Sequence, residues 1–153
     1  MEIRIVPWAD CYARAFEEIS VNWLEEFDLL EPIDLEMLRN PHRDILDPGG
    51  QIFFALAGDT VVGTCGLQWV SPGVYEIIKL GVRPEFRGRG AGQQLLERCL
   101  SWAREQKAEK VVLYSNSRLQ SALRLYVRCG FSRIPFVPGH YAVSDVEMER
   151  ILP

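Results

Sequence analysis

Apolar and polar positions alternate along residues 2–7 and the run stops at Pro7, the period-two pattern of a first strand. From Asp10 the period changes. Tyr12, Phe16, Ile19, Trp23, Phe27 and Leu30 recur at steps of three and four, which lays an apolar stripe along one helix. Glu17, Glu18, Glu25 and Glu26 fall largely off that stripe, and Pro32 is expected to end the segment. A short second helix opens at Ile33-Asp34, with Asp34 as its N-cap and Asn40-Pro41 as its stop. Asp47-Pro48-Gly49-Gly50 is turn chemistry. Residues 51–57 and 60–70 flank Gly58-Asp59 as a hairpin, and Ser71-Pro72-Gly73 leads into a longer strand, 74–82.

The second half alternates helix and strand. Gly92, Leu95, Leu96, Cys99, Leu100 and Ala103 form a helical stripe, followed by a short apolar strand at 111–114. Leu119, Ala122, Leu123, Tyr126 and Cys129 are helical again and end at Gly130. Residues 131–135 and 146–152 read as the last strands, joined by a loop with Pro138 and Gly139. No repeat or linker interrupts the order. The pattern predicts one mixed α/β domain over residues 1–153.

Composition narrows the chemistry. A chain of 153 residues with 48% apolar and 25% charged positions suits a compact soluble protein with a real core. A net charge of -4 argues against a nucleic-acid-binding domain, which would be basic. Cys11, Cys65, Cys99 and Cys129 form no CxxC pair and sit among apolar neighbours, so they are expected to be buried and reduced. His42 and His140 lie far apart, which leaves little basis for a histidine metal site or triad. No run of 18 apolar residues and no signal-peptide pattern is present, so no membrane contact is expected and a cytoplasmic location follows by default.

The most chemical segment joins the strand at 74–82 to the following helix. Gly88, Gly90 and Gly92 alternate there between Arg87, Arg89 and Ala91. Glycine permits unusual dihedrals and close backbone approach, and a helix start aims free N–H groups and a favourable dipole at an anion. A phosphate or pyrophosphate suits such a turn. A Walker A loop would need Gly-Lys-Ser/Thr, whereas Gln93-Gln94 follows Gly92; a dinucleotide turn would need GxGxxG rather than GxGxG. The pyrophosphate arm of coenzyme A fits. The plainer alternative is a glycine-rich helix start without a ligand.

The run from Val82 to Gly92 resembles motif A of the GNAT acetyltransferase superfamily, with Arg87, Gly90 and Gly92 at its Arg/Gln-x-x-Gly-x-Gly/Ala positions. The run from Ser115 to Phe131 resembles motif B of the same superfamily, with Ala122, Leu125 and Tyr126 as its Ala-x-x-Leu-Tyr and Gly130-Phe131 as its Gly-Phe. The hairpin around Gln51–Ala55 and Val61–Thr64 and the tail at 145–149 extend the resemblance to nearly the whole chain. It implies the GNAT fold: a mixed, mostly antiparallel sheet of six to seven strands flanked by about four helices, with two strands splayed to admit the pantetheine arm. It also implies acetyl-coenzyme A as co-substrate and no metal. Leu80, Gly81 and Val82 would bond the arm, the amides from Gly88 to Gln93 would bind pyrophosphate, and Arg87 and Arg89 would add charge. Motif B often carries Asn where Leu119 stands here; Asn116 lies three residues earlier, and either can meet the arm beside Ala122.

Acetyl transfer to an amine needs a base for the ammonium and an acid for the departing thiolate. By the resemblance, Tyr126 is the acid; its periodicity alone equally describes a core tyrosine. Glu76, a carboxylate in an otherwise mostly apolar strand, is the candidate base, the alternative being a partner for Lys79. Cys129 lies on the core stripe and is not expected to be a nucleophile. The acceptor, a small or peptide amine, is expected to meet the first helices, the loop after Ser71 and the segment around His140-Tyr141. Many members of the superfamily dimerise, which admits a homodimer. The rival functions are a coenzyme A sensor without turnover and a nucleotide-binding protein unrelated to acyl transfer.

Overall fold

The structure, a computed structural model, describes residues 2–139 and 141–153. His140 lies outside the described residues. Strands β1 (Ile3–Pro7), β2 (Gln51–Ala57), β3 (Thr60–Ser71), β4 (Val74–Val82), β5 (Lys110–Ser115), β6 (Ser132–Ile134) and β7 (Val146–Ile151) build one sheet. Its order is β1-β2-β3-β4-β5-β7-β6. Every neighbouring pair is antiparallel except β4 and β5. Helices α1 (Ala13–Glu26), α2 (Pro32–Arg39), α3 (Ala91–Glu105) and α4 (Gln120–Arg128) complete the expected order of elements.

Strand alternation explains how the sheet separates two cores. In β2, Phe53 and Ala55 join a core with Leu95, Leu96 and Cys99 of α3 and Leu123 of α4. Ile52, Phe54 and Leu56 point the other way, to Phe16 of α1 and Met37 and Leu38 of α2. A fully buried Phe, Leu or Ile stabilises by about 1.5–3 kcal/mol, so this double-sided burial fixes the register of β2. In β4, Tyr75 and Ile77 enter the first core and Ile78 the second. By the same alternation Glu76, between Tyr75 and Ile77, belongs to the α1/α2 face.

Two irregularities in β4 matter. Its parallel pairing with β5 ends at Ile77↔Leu113, although β4 runs on to Val82. The sheet therefore splits beyond this point, and β5 continues with β7 to Ser115↔Val146. On its other edge, β4 passes from Ile78↔Gly66 to Gly81↔Thr64, three steps against two. The extra residue is a β-bulge, and Lys79 within it sits at φ +53°, a conformation that costs a lysine about 1 kcal/mol or more.

The helix boundaries near α2 differ from expectation. Pro32 opens α2 instead of closing α1, because a proline at the first helical position loses no hydrogen bond. Asp34 is the third helical residue, not the N-cap; its Oδ2 accepts from the backbone N–H of Glu31 at 2.8 Å. Helix α1 ends at Glu26, so Phe27 and Leu30 of the stripe lie beyond it. A single helical turn at His42–Leu46 precedes the Asp47–Gly50 turn, which no periodicity marked. Cys65, Cys99 and Cys129 are buried as expected, but Cys11 is exposed, since it falls in the helical turn before α1 rather than on its apolar stripe.

Candidate active site

The glycine-rich turn forms as the sequence requires. Gly88 and Gly90 adopt φ +75° and +84°, and Gly90 is the N-cap of α3. Gly92 packs so closely that an added Cβ would meet Leu125 Cδ2 at 3.3 Å. The first backbone N–H groups of α3, from Ala91 to Gln93, have no partner within the helix and face a cleft. That cleft is lined by Gly88, Gly90, Gln93 and, across it, Arg124 and Arg128 of α4. The two arginines stand four apart on one helix face, and sequence reading had given them no role.

The other arginines of the turn are engaged elsewhere. Arg87 makes a two-pronged ion pair with Glu26, at 2.7 and 2.9 Å, and donates to the Val82 carbonyl at 3.1 Å. The Arg87 guanidinium holds the Glu26 carboxyl below its ordinary pKa. Arg83 pairs with Glu18 at 2.8 Å. Two acids of α1 thus hold the arginines at and before the glycine-rich turn. Arg89 lies over the Phe86 ring, 5.5 Å from its centroid.

From the turn a continuous series of clefts enters the split. The cleft at the turn shares Val82, Arg87 and Ser121 with a second one between Leu80–Val82 and Leu119–Ala122. This second cleft shares Trp23, Leu80 and Leu119 with an inner cavity that Glu76, Lys79, Tyr114, Asn116, Tyr126 and Tyr141 help to line. The expected residues Leu80, Gly81, Val82, Leu119 and Ala122 therefore all border the passage. Asn116 borders only its inner end, and its amide is committed: Nδ2 donates to the Val143 carbonyl at 2.5 Å and Oδ1 accepts from Arg118 N–H at 2.9 Å.

Glu76 and Tyr126 reach the inner cavity from opposite sheet faces, and the split lets them share it. Glu76 is 5% exposed. Burial pushes its carboxyl up to about 7; Lys79 opposes this and Glu147 adds to it. Tyr126 is packed among the α3/α4 core residues, with its ring against Phe131 at 6.0 Å. Burial raises its phenol well above the ordinary value, so it stays protonated.

No periodicity or motif marked the ion pair beside them. Lys79 Nζ donates to Asp34 Oδ1, and the two side chains are 5% and 3% exposed. The Tyr141 ring lies 5.0 Å from Lys79 Nζ. Lys79 was readable as a charge in an apolar strand and as an alternative partner for Glu76, whereas Asp34 comes from an element 45 positions earlier. The Ser20 hydroxyl also lines this cavity, buried and without a partner among the described residues.

A mixed sheet that splits beside a parallel pair, with a glycine-rich helix start at the mouth of the split, defines a class of acyl-group transferases. Residues 8–131 match the family model described as the acetyltransferase (GNAT) family, and the chain belongs to that family. Over 109 residues it is 32% identical to the N-alpha-acetyltransferase RimI of Mycobacterium tuberculosis, covering 69% of this chain and 67% of that protein. The fold matches a GNAT-family acetyltransferase from Staphylococcus aureus Mu50 with a TM-score of 0.91 at 24% identity, covering 99% of this chain and 100% of that one. The PaiA N-acetyltransferase of Thermoplasma acidophilum, solved in complex with coenzyme A, matches with a TM-score of 0.76 at 16% identity, covering 99% and 100%. Among the described residues no helix is long and apolar enough to cross a membrane.

Proposed function

We propose that the chain acts as one acetyltransferase domain that moves an acetyl group from acetyl-coenzyme A to a primary amine by direct attack. The observation that carries this is the unbroken passage from the glycine-rich turn, past the unpaired edge of β4, to Glu76 and Tyr126. The residues present fit the donor. Gly88 and Gly90 hold the backbone in conformations that bare the amides of residues 88–93, and Arg124 and Arg128 set positive charge opposite. The β4 edge from Leu80 to Val82 has lost its β5 partner and keeps backbone groups to bond an extended arm. Leu119 and Ala122 supply the apolar wall opposite.

When bound, acetyl-coenzyme A supplies an acyl group on a thioester; the amine nitrogen bonds to the carbonyl carbon, the carbon–sulfur bond breaks, and an amide and a thiol result. Glu76 removes one proton from the ammonium, directly or through water, at a pKa matched to neutral solution. Tyr126, kept protonated by burial, gives its proton to the departing sulfur; the second nitrogen proton leaves to solvent as the amide forms, and solvent reprotonates Tyr126. Thiol release from acetyl-coenzyme A across a panel of amines tests this, together with thermal stabilisation by coenzyme A. Stabilisation by ATP or NAD instead, or no thiol release with any amine, would overturn it.

A further inference from the structure

Alternation along β4 changes phase at Lys79. Tyr75 and Ile77 enter the α3 core, and Ile78 enters the α1/α2 core. Carried on unchanged, the pattern would send Lys79 into the α3 core behind Tyr75 and Ile77. Beyond the bulge the faces are exchanged. Leu80 and Val82 pack against the α3 core, and an added Cβ at Gly81 would meet Trp23 of α1 at 3.4 Å. The extra residue therefore brings the Lys79 ammonium out beside Asp34 of α2, on the side of the sheet that holds Glu76.

A buried carboxylate and an ammonium so placed on one strand would ordinarily pair. Here Lys79 Nζ donates to Asp34 instead, and Glu76 feels it as a nearby charge. Asp34 is itself held in place: its other oxygen accepts from the Glu31 N–H at 2.8 Å in the capping box of α2.

Lys79 is the one cation among the described residues that pulls the Glu76 carboxyl down. Glu147 of β7 pushes it up, and Glu31 stands at the start of α2. Tyr114 of β5 and Tyr141 before β7 are phenols that burial keeps protonated. Lys110 of β5 pairs in register with Val74, two residues before Glu76, and Glu149 of β7 pairs with Val112. In the outer cleft that Glu76 also lines, Arg43 is shared by Glu36 and Asp44.

Resting on the acetyl-transfer function proposed above, we infer that Asp34 is a positioning residue: it draws the Lys79 ammonium away from Glu76 and so leaves that carboxyl free to take the proton of the acceptor amine. Without the Asp34 charge, Lys79 turns to Glu76. The base is then both weakened and blocked, because a cation in contact lowers its affinity for a proton and occupies the place of the incoming ammonium.

The test compares the unaltered full chain with Asp34→Asn and with the double variant Asp34→Asn, Lys79→Met. Asparagine keeps an oxygen for the Glu31 N–H and loses the charge. One readout is kcat/KM against pH, with acetyl-coenzyme A and the best acceptor of an amine panel. The other is the titration of the Glu76 carboxyl by NMR of isotope-labelled glutamate, assigned with Glu76→Gln. In Asp34→Asn both should move to lower pH by about one pH unit or more, and the plateau of kcat/KM should fall about tenfold or more. In the double variant the titration should return to about 7 or above, with most of the activity. A purely structural role for Asp34 would lower activity at every pH and leave the Glu76 titration in place, which overturns the inference. Asp34→Asn should stay folded, since the freed ammonium gains Glu76; a chain that unfolds with Asp34→Asn yet folds with both substitutions overturns it as well. A lowered Glu76 titration without thiol release from any amine would strike the acetyl-transfer function and leave the hold of Asp34 on Lys79 standing.

Discussion

On the glycine-turn side of Glu76 the walls that meet the ligand are largely backbone: the first amides of α3, two glycines at positive φ and the unpaired edge of β4. On the other side they are side chains from α2, a short helical turn and a hairpin end, with Arg43 shared by Glu36 and Asp44. Backbone walls recognise what every donor of this kind has in common, an anion and an extended arm. Side-chain walls can change residue by residue without disturbing the sheet. In the proposed reaction the donor side is therefore general and the acceptor side individual, and Glu76 stands where they meet.

Four measurements would break or sharpen that contrast. The largest effect is expected at the Lys79–Asp34 pair, which ties the β4 bulge to the start of α2. Lys79→Met leaves a buried carboxylate alone and should cost about 4 kcal/mol in denaturant unfolding, while the double variant with Asp34→Asn regains most of it. Because Lys79 lowers the Glu76 pKa, the single variant should also move the alkaline rise of kcat/KM to higher pH. If stability is unchanged, the pair does not hold the acceptor side together.

The next concerns Glu76 itself. Its folded pKa of about 7 lies above the ordinary 4.5, so the stability it contributes is complete below about pH 4.5 and is lost as pH rises through about 7. The loss amounts to about 3 kcal/mol. Glu76→Gln should abolish this slope in thermal melts between pH 4.5 and 8. Activity runs the opposite way: kcat/KM of the unaltered protein should climb as pH passes about 7 and flatten above, because only the carboxylate takes a proton. Lys79 of β4, Glu147 of β7, Asp34 of α2 and Tyr114 and Tyr141 around the cavity are the charged and titratable groups near it, and burial keeps both tyrosines protonated throughout that interval.

Tyr126→Phe keeps the packing against Phe131 and removes only the hydroxyl. A fall of about a hundredfold in kcat, with both KM values little changed, is expected from steady-state rates. A fall confined to KM would make Tyr126 a wall and not an acid. The smallest effect is expected on the donor side: Gly92→Val forces contact with Leu125 and should raise the KM of acetyl-coenzyme A about tenfold without altering the amine KM. A matching rise in the amine KM would erase the division between the two sides.

The order of strands and helices could be read from hydrophobic period alone, because each element buries one stripe or face against the sheet. The glycine-rich turn was readable for a related reason: positive φ at Gly88 and Gly90 and close approach at Gly92 demand glycine wherever they occur. The partners of the α1 acids were not legible, since whether a glutamate faces solvent, a ligand or Arg87 depends on a residue 61 positions away. Pro32 and Asp34 misled over one helix boundary, where the same residues can close one helix or open the next. Arg124 and Arg128 were plain in the chain, but their facing the turn follows only from how α4 packs.

What the sequence determined was the family, the sheet with its helices and the backbone-built glycine turn, all of which depend on local residue type and short spacing. The tertiary structure alone decided where β4 and β5 part, that Glu76 and Tyr126 meet through that opening from opposite faces, and that Lys79 is balanced by Asp34. Those facts depend on contacts between distant segments, and a buried charge takes its pKa and its partner from neighbours that the chain brings together only by folding.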